Sequence, residues 1–366
     1  MGGRHALGLV FGVLFLGLAL WGVPLRELGG VLAATSPLLL LQAAAVFLVA
    51  QALRALRQLL LVRPLAPQAS FGGQHAIVCM SFFCIATFPA HLGELVRPYL
   101  LREKAGVALG AGFGVVLVER VLELTGLFVA LVAVLLLVDL PPGVVEIAGT
   151  PVDLAGLGRR LALTLLPPAI GGLVVLVVWG RELVGVLERG VDALERRLRV
   201  RWPRRLAGLL LGFAASFVTG LGALRRPAHL AGVLVLTAAG FLASGLVALY
   251  LARAVGLAAE VGFGEALGVT CVTMLGTALP APPGQVGVFE GSARAGLALF
   301  GVGGETFAAR ALAFALVAHW WIFAVQSATA LWFFWRDRVS LLGSFRFARS
   351  RDRARANPDG SPASKE

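Results

Sequence analysis

Charge is scarce in this 366-residue sequence: Asp, Glu, Lys and Arg make up 14%, against roughly a quarter in ordinary soluble domains. With 58% hydrophobic residues and a mean hydropathy of +0.87, that scarcity excludes a water-soluble globule. It also excludes disorder, because so apolar a chain cannot stay hydrated. Cysteine is scarce too. Cys79, Cys84 and Cys271 lie in apolar stretches without metal-ligand spacing, which excludes a disulfide framework or zinc site and leaves them as small core residues. The sequence lacks HExxH, paired CxxC, a P-loop lysine and GxSxG, and Gly110-Ala111-Gly112-Phe113-Gly114 has no strand–helix unit around it to make a dinucleotide fingerprint. No metal and no cofactor are expected.

What is present is basic and apolar. The formal net charge is +12, but the basic residues fall largely between apolar runs, the pattern of membrane topology rather than of nucleic-acid binding. Arginine outnumbers lysine 30 to 2; phosphate recognition by guanidinium and a plain compositional bias both account for it. Runs long enough to cross about 30 Å of hydrocarbon cover residues 6–23, 36–62, 119–138, 161–179, 230–251 and 308–335, while 75–89, 107–118, 263–279 and 292–302 are short or interrupted by Pro and Gly. Arg54, Arg57 and Arg63, the segment 181–205 and the Arg-rich tail read as cytoplasmic ends, and 139–153, with no basic residue, as outward-facing. Both termini are then cytoplasmic, in a cell (inner) membrane. The division expected is a first membrane half, 1–180, an amphipathic cytoplasmic link, 181–227, a second half, 228–338, and a disordered basic tail, 339–366. Within the link, 206–224 reads as a helix lying on the membrane surface.

Two interrupted segments resemble each other. In one an apolar run stops at Pro89 and Gly93-Glu94 follow; in the other it stops at Pro280, and Pro282, Pro283 and Gly284 follow, with Gly287 beyond. An arginine in the next long helix comes 31 residues after Pro89 (Arg120) and 30 after Pro280 (Arg310). Proline removes a backbone donor and glycine permits unusual dihedrals, so each segment should be a broken helix or re-entrant hairpin lining a cavity. Such breaks at corresponding positions of two halves point to a substrate site. The fold expected is all-α and polytopic, with about six full spans plus two broken segments in an inverted-topology repeat.

Ionisable residues inside apolar helices cost roughly 2.5–3.5 kcal/mol each on insertion scales. Glu94, Arg97, Glu119, Arg120, Glu123, Glu290, Arg294 and Arg310, with His91 and His319, are therefore the candidate set, either as structural ion pairs or as a hydrated cavity whose arginines receive a headgroup phosphate. His319, beside Trp320 and Trp321, reads as packed core or interface.

Three motifs, Pro89-x-x-x-Gly93-Glu94-x-x-Arg97, Glu119-Arg120-Val121 and Pro282-Pro283-Gly284-x-x-Gly287-Val288-Phe289-Glu290, resemble the lysylphosphatidylglycerol synthase transmembrane region family, also called flippase-like or UPF0104 proteins. The likeness covers most of 1–338. His91 stands where that family often has Arg, and Gln285 where a second Gly is common. The resemblance implies lipid translocation between leaflets, with membrane phospholipids as partners and no soluble aminoacyltransferase domain. Arg97, Arg120 and Arg310 would attract the phosphate, with Glu94, Glu119 and Glu290 positioning them and the proline–glycine breaks acting as gates. The alternatives are an intramembrane transferase acting on phospholipid or polyprenyl phosphate, and a non-catalytic membrane partner of a separate lipid-modifying enzyme. The absence of a donor-nucleotide motif favours transport over catalysis.

Overall fold

The computed structural model describes residues 25–87, 93–138, 144–147, 150–153, 227–278, 283–303 and 307–338, with isolated positions between 164 and 215. The helices are α1 (Leu25–Ala33), α2 (Pro37–Val62), α3 (Phe71–Thr87), α4 (Val96–Ala105), α5 (Leu109–Leu137), α6 (Pro227–Ala254), α7 (Phe263–Thr277), α8 (Val288–Leu299) and α9 (Ala308–Arg336). Four of them, α2, α5, α6 and α9, are long and apolar enough to cross a membrane. At 1.5 Å per residue each extends about 39–44 Å, longer than about 30 Å of hydrocarbon, so tilted crossing is the ordinary accommodation. Leu38, Leu41, Val235, Leu137 and Trp335 are exposed on them, as side chains facing acyl tails would be.

Two sets of four helices recur in the same order: long, short, short, long. In α2–α5 and again in α6–α9, a short helix stops, the chain turns through a 3-10 segment, and a second short helix runs back. Glycine makes the first reversal possible. A Cβ on Gly93 would sit 2.2 Å from the backbone of Cys84 and Ile85, so the turn after α3 folds directly onto α3's last turns. In the second hairpin Gly296 packs against Val269, and a Cβ on Gly276 would strike the Ser292 side chain; these pairings make α7 and α8 antiparallel.

Packing between the sets is reciprocal. The long helix α5 lies against α7 of the other set, and α9 against α3; α2 and α6 pack along each other. Ser36 at the start of α2 donates to the Ala254 carbonyl at the end of α6, and Leu60 lies against Gly232, so these two corresponding helices run antiparallel. Their apolar clusters interlock in the same way: Leu127 and Val134 of α5 join the core built on α6–α9, while Ala330, Phe333 and Phe334 of α9 join the core built on α2–α5. At one corner Lys104, ending α4, donates to Asp337, just past α9, which also accepts from Arg336.

The structure alters several expectations. Residues 107–118 are no separate stretch but the first turns of one 29-residue helix, α5; Gly112 survives there because Pro98 presses against it, and close packing outweighs glycine's low helix propensity. The chain is not purely helical either, since Val144–Ile147 (β1) and Thr150–Asp153 (β2) form an antiparallel hairpin in the 139–153 segment. Residues 6–23, most of 161–179 and of 206–224, and 339–366 lie outside the described residues.

Gly93→Ala should destabilise the protein by about 1–3 kcal/mol or more, the cost of overpacking against backbone. Gly30→Ala in α1, where nothing lies within 4 Å of the added methyl, should be neutral or raise stability by about 0.5–1 kcal/mol. Thermal unfolding in detergent compares them. A second expectation concerns acid. Burial opposes the charge of Asp337, but hydrogen bonds from Arg336 and Lys104 outweigh it and hold the carboxyl below its ordinary value. That stabilisation is present above the ordinary carboxylate range and is lost as pH falls through the depressed value. Asp337→Asn should abolish this part of the acid dependence.

Candidate functional site

The first hairpin carries a cluster of charge. From α2 come Arg54 and Arg57, on the same face as Gln51 and Gln58, at spacings of three and four that align side chains along a helix. The 3-10 turn brings Glu94, the second residue of α4 is Arg97, and α5 contributes Glu119, Arg120 and Glu123. Arg97 Nη1 donates to Glu119 Oε2 at 2.5 Å, and Arg57 Nη2 to Glu123 Oε1 at 2.7 Å, with Arg57 Nε 3.8 Å from Glu119 Oε1. Arg120 bridges two carboxylates, donating from Nη1 to Glu123 Oε2 at 2.7 Å and approaching Glu94 Oε1 with Nη2 at 2.9 Å. The inner members are deeply enclosed, with Arg57 4%, Arg97 2% and Glu119 1% exposed.

The charges do not cancel. Four guanidinium groups face three carboxylates, and among the described residues no carboxylate forms an ion pair with Arg54. Its Nη1 donates to Gln51 at 2.7 Å, and its guanidinium lies over the Phe82 ring, which also receives Arg97. Gln51 in turn donates to Gln326 of α9, and Gln326 to the Cys79 carbonyl, so α2, α3 and α9 hold Arg54's partner in place. Arg57 Nε and Arg97 Nη2 are buried donors without a hydrogen-bond partner among the described residues. The arrangement therefore has one surplus positive charge and spare N–H groups.

This cluster opens into a chain of cavities. The largest, about 520 Å³, is lined by Glu94, Arg120 and Glu123, by Phe82 and Ala86 near the end of α3, and by Thr277, Ala278 and Gln285 around the second break. The two breaks thus border one cavity. Behind it a space of about 80 Å³ is lined by Arg54, Arg57, Arg120, Glu123, Thr237 and Ser244. Beyond that lies an almost wholly apolar cavity of about 230 Å³, bounded by Phe47, Val247, Leu251, Phe289 and Ile322, with Arg54 as its charged residue. Met274 borders all three.

The second hairpin is built differently. Its 3-10 turn, Pro283–Gln285, places Gly284 and Gln285 at φ 73° and 56°, and Gly287 follows at 80°; Gln285, lacking glycine's freedom, is strained there. Glu290 is completely buried. Its Oε2 accepts the backbone N–H of Gly287 at 2.7 Å and its Oε1 lies 2.8 Å from His319 Nδ1. His319 is sandwiched between Phe289 and Trp320.

Of the residues singled out in the sequence, Glu94, Arg97, Glu119, Arg120 and Glu123 come together, but Arg310 does not join them. It lies in the first turn of α9, with a side chain 47% exposed, and pairs with Glu260 at 3.7 Å, because matched spacing from a proline does not fix position along a helix. Arg294 lies half-buried on α8 and does not line these cavities. Pro89, His91, Pro280 and Pro282 lie outside the described residues. Arg54 and Arg57, expected with Arg63 to mark the cytoplasmic end of the 36–62 run and not counted among the site residues, lie in α2 and are central to the cluster. The signal that could have found them is the polar stripe Gln51, Arg54, Arg57 and Gln58 on an otherwise apolar helix.

The family model described as lysylphosphatidylglycerol synthase TM region matches residues 5–325. No curated protein and no solved structure matches the chain.

Glu119 holds the cluster's buried side. Glu119→Gln leaves Arg97 and Arg57 short of counter-charge and should cost about 3–5 kcal/mol, the usual penalty for breaking a buried pair. Glu94→Gln, at the partly open side, should cost about 1 kcal/mol or less. Thermal unfolding in detergent should rank the two in that order.

Proposed function

The chain belongs to the lysylphosphatidylglycerol synthase TM region family, and on that premise we propose that this membrane protein moves a phospholipid between leaflets, holding its headgroup in the cavity between the two helix breaks. The observation that carries the reading is the surplus cation. The cluster sets four arginines against three glutamates, and the small space behind the cavity between the breaks is lined by Arg54, Arg57 and Arg120 with Glu123 as its acid; that local surplus favours a singly charged phosphate oxyanion, and the guanidinium fork matches phosphate oxygens. The amphiphile's other end is provided for by the apolar cavity, which adjoins the polar one through Arg54 and Met274. A glutamate of the pocket would also meet a cationic aminoacyl group on an aminoacylated phospholipid.

The antiparallel course of α2 and α6 and the reciprocal packing of the sets support an inverted-topology repeat, in which the two breaks act as opposed gates. Both termini lie on the cytoplasmic side in this reading, in the cell membrane. With Arg54 and Arg57 engaged in the buried cluster, that orientation leans on Arg63, the 181–205 segment and the basic tail. A transferase would need a carboxylate free to accept a proton, whereas Glu94, Glu119 and Glu123 each engage an arginine.

Reconstitution into liposomes with fluorescent phosphatidylglycerol tests the proposal. Wild-type protein should carry the probe across without chemical change. Arg54→Ala and Arg120→Ala should each slow it by roughly tenfold or more, the worth of a charge-assisted hydrogen bond, and Arg310→Ala should not. Full rates in both cluster variants would remove the phosphate site. A new lipid species would establish a transferase instead, and neither movement nor product would leave a partner of a lipid-modifying enzyme.

A further inference from the structure

The two hairpins share a second-order likeness that residue spacing along the chain conceals. Arg120 is the twelfth residue of α5, and His319 is the twelfth residue of α9. Each meets a glutamate from the break preceding its helix: Glu94 comes from the first turn and Glu290 from the second. The counterpart of Arg120 is therefore His319, not Arg310. One half fixes its break with a permanently charged guanidinium, and the other with imidazole, whose charge changes near neutral pH.

We propose that the Glu290–His319 pair is a proton-binding site that latches the second helix break. Glu290 is the tie on that break. Through Gly287 it holds a turn in which Gly284, Gln285 and Gly287 all have positive φ, a conformation that persists only when its surroundings enforce it. With the imidazole neutral, its Nδ1–H donates to the Glu290 carboxylate at Oε1, and the pair carries one net negative charge. A proton taken from water adds at Nε2, for which no hydrogen bond is found among the described residues; the side chain is 9% exposed. The result is an imidazolium still donating from Nδ1, now to an opposite charge, and the tie strengthens. Loss of that proton to water restores the weaker hydrogen bond from a neutral donor to the carboxylate.

Glu290 is the charged residue that touches His319. Of the elements packed against α9, α2 presents Arg54, which shares the apolar cavity with Ala318. From α3 comes His75, which meets Phe333 instead; α1 carries Arg26 and Glu27, α6 carries His229, Tyr250 and Arg253, and α8 carries Arg294. No hydrogen bond or ion pair joins Arg54, His75, Arg26, Glu27, His229, Tyr250 or Arg253 to His319 among the described residues. Phe289 and Ala318 put the latch directly behind the wall of the apolar cavity, so loosening the turn alters the space next to Arg54.

Hydrogen–deuterium exchange of the full chain in lipid nanodiscs tests this without reference to transport. After correction for intrinsic rates, amides of 284–290 should exchange roughly severalfold to tenfold more slowly at about pH 5 than at about pH 8, the difference between an ion pair and a hydrogen bond from a neutral donor to the same carboxylate. His319→Gln should abolish that pH dependence, and His319→Arg, copying the first half, should protect the turn at both values. Fluorescence of Trp320, stacked on His319, should titrate in wild type and not in His319→Gln. A wild-type turn with no pH dependence, or a His319→Gln profile identical to wild type, overturns the latch. Because neither readout needs lipid movement, failure of the transport proposal leaves this result standing, and the converse also holds.

Discussion

Everything in this structure follows from the need to keep guanidinium groups charged inside an apolar protein. An isolated ion there loses several kcal/mol of solvation even after relaxation, so Arg57, Arg97 and Arg120 are each given a carboxylate. The carboxylates must then come from backbone that reaches the same depth. Glu119 and Glu123 lie a single helical turn apart on α5, but Glu94 has to be delivered by a turn doubling back on α3. Gly93 permits that approach, which any side chain would block. Charge neutralisation and the broken helix are thus one requirement met twice, in side chains and in backbone.

The second set of helices repeats the architecture while discarding most of the charge. Beside its break it sets one buried glutamate, Glu290, with the aromatic rings of Phe289 and Trp320 around its partner His319 where the first set has an arginine network. The outcome is charged on one side and oily on the other: Gln285 reaches the cavity that holds Glu94, Arg120 and Glu123, Phe289 and Ala293 line the apolar one, and Thr277 borders both. A symmetric duplication with charge in both halves would offer no place for hydrocarbon. Divergence between halves is what makes the interior amphiphilic.

Much of this was legible in the sequence. The four long helices, the two interruptions and most of the ionisable cluster follow from hydropathy, proline and glycine, and the cost of burying charge. Two things were not. Arg54 and Arg57 were counted only as charges at the cytoplasmic end of the 36–62 run, because a positive-inside argument counts residues near a span's end without asking which face they occupy, and only packing of α2 on α5 and α6 decides that. Arg310 was matched to Arg120 by distance from a proline, but the loops between break and helix differ in length. Position within the helix, visible once its start is known, pairs Arg120 with His319 instead.

The order of the cavities bears on how an amphiphile could be held. Arg120 and Glu123 border the large and the small polar spaces, Arg54 borders the small one and the apolar one, and Met274 touches all three. A phosphate moving inward from Arg120 to Arg54 would exchange one guanidinium for another without becoming an unpaired ion, the condition that makes passage through low dielectric affordable. Arg54, lacking a carboxylate of its own, is the member able to accept it without displacing an ion-pair partner. Phe82 sits beneath both Arg54 and Arg97, offering a π face that tolerates a guanidinium whether or not an anion is present. A flexible thioether at the common wall suits this geometry, since Met274 can repack around either headgroup or tail, whereas a branched side chain there would fix the size of each compartment.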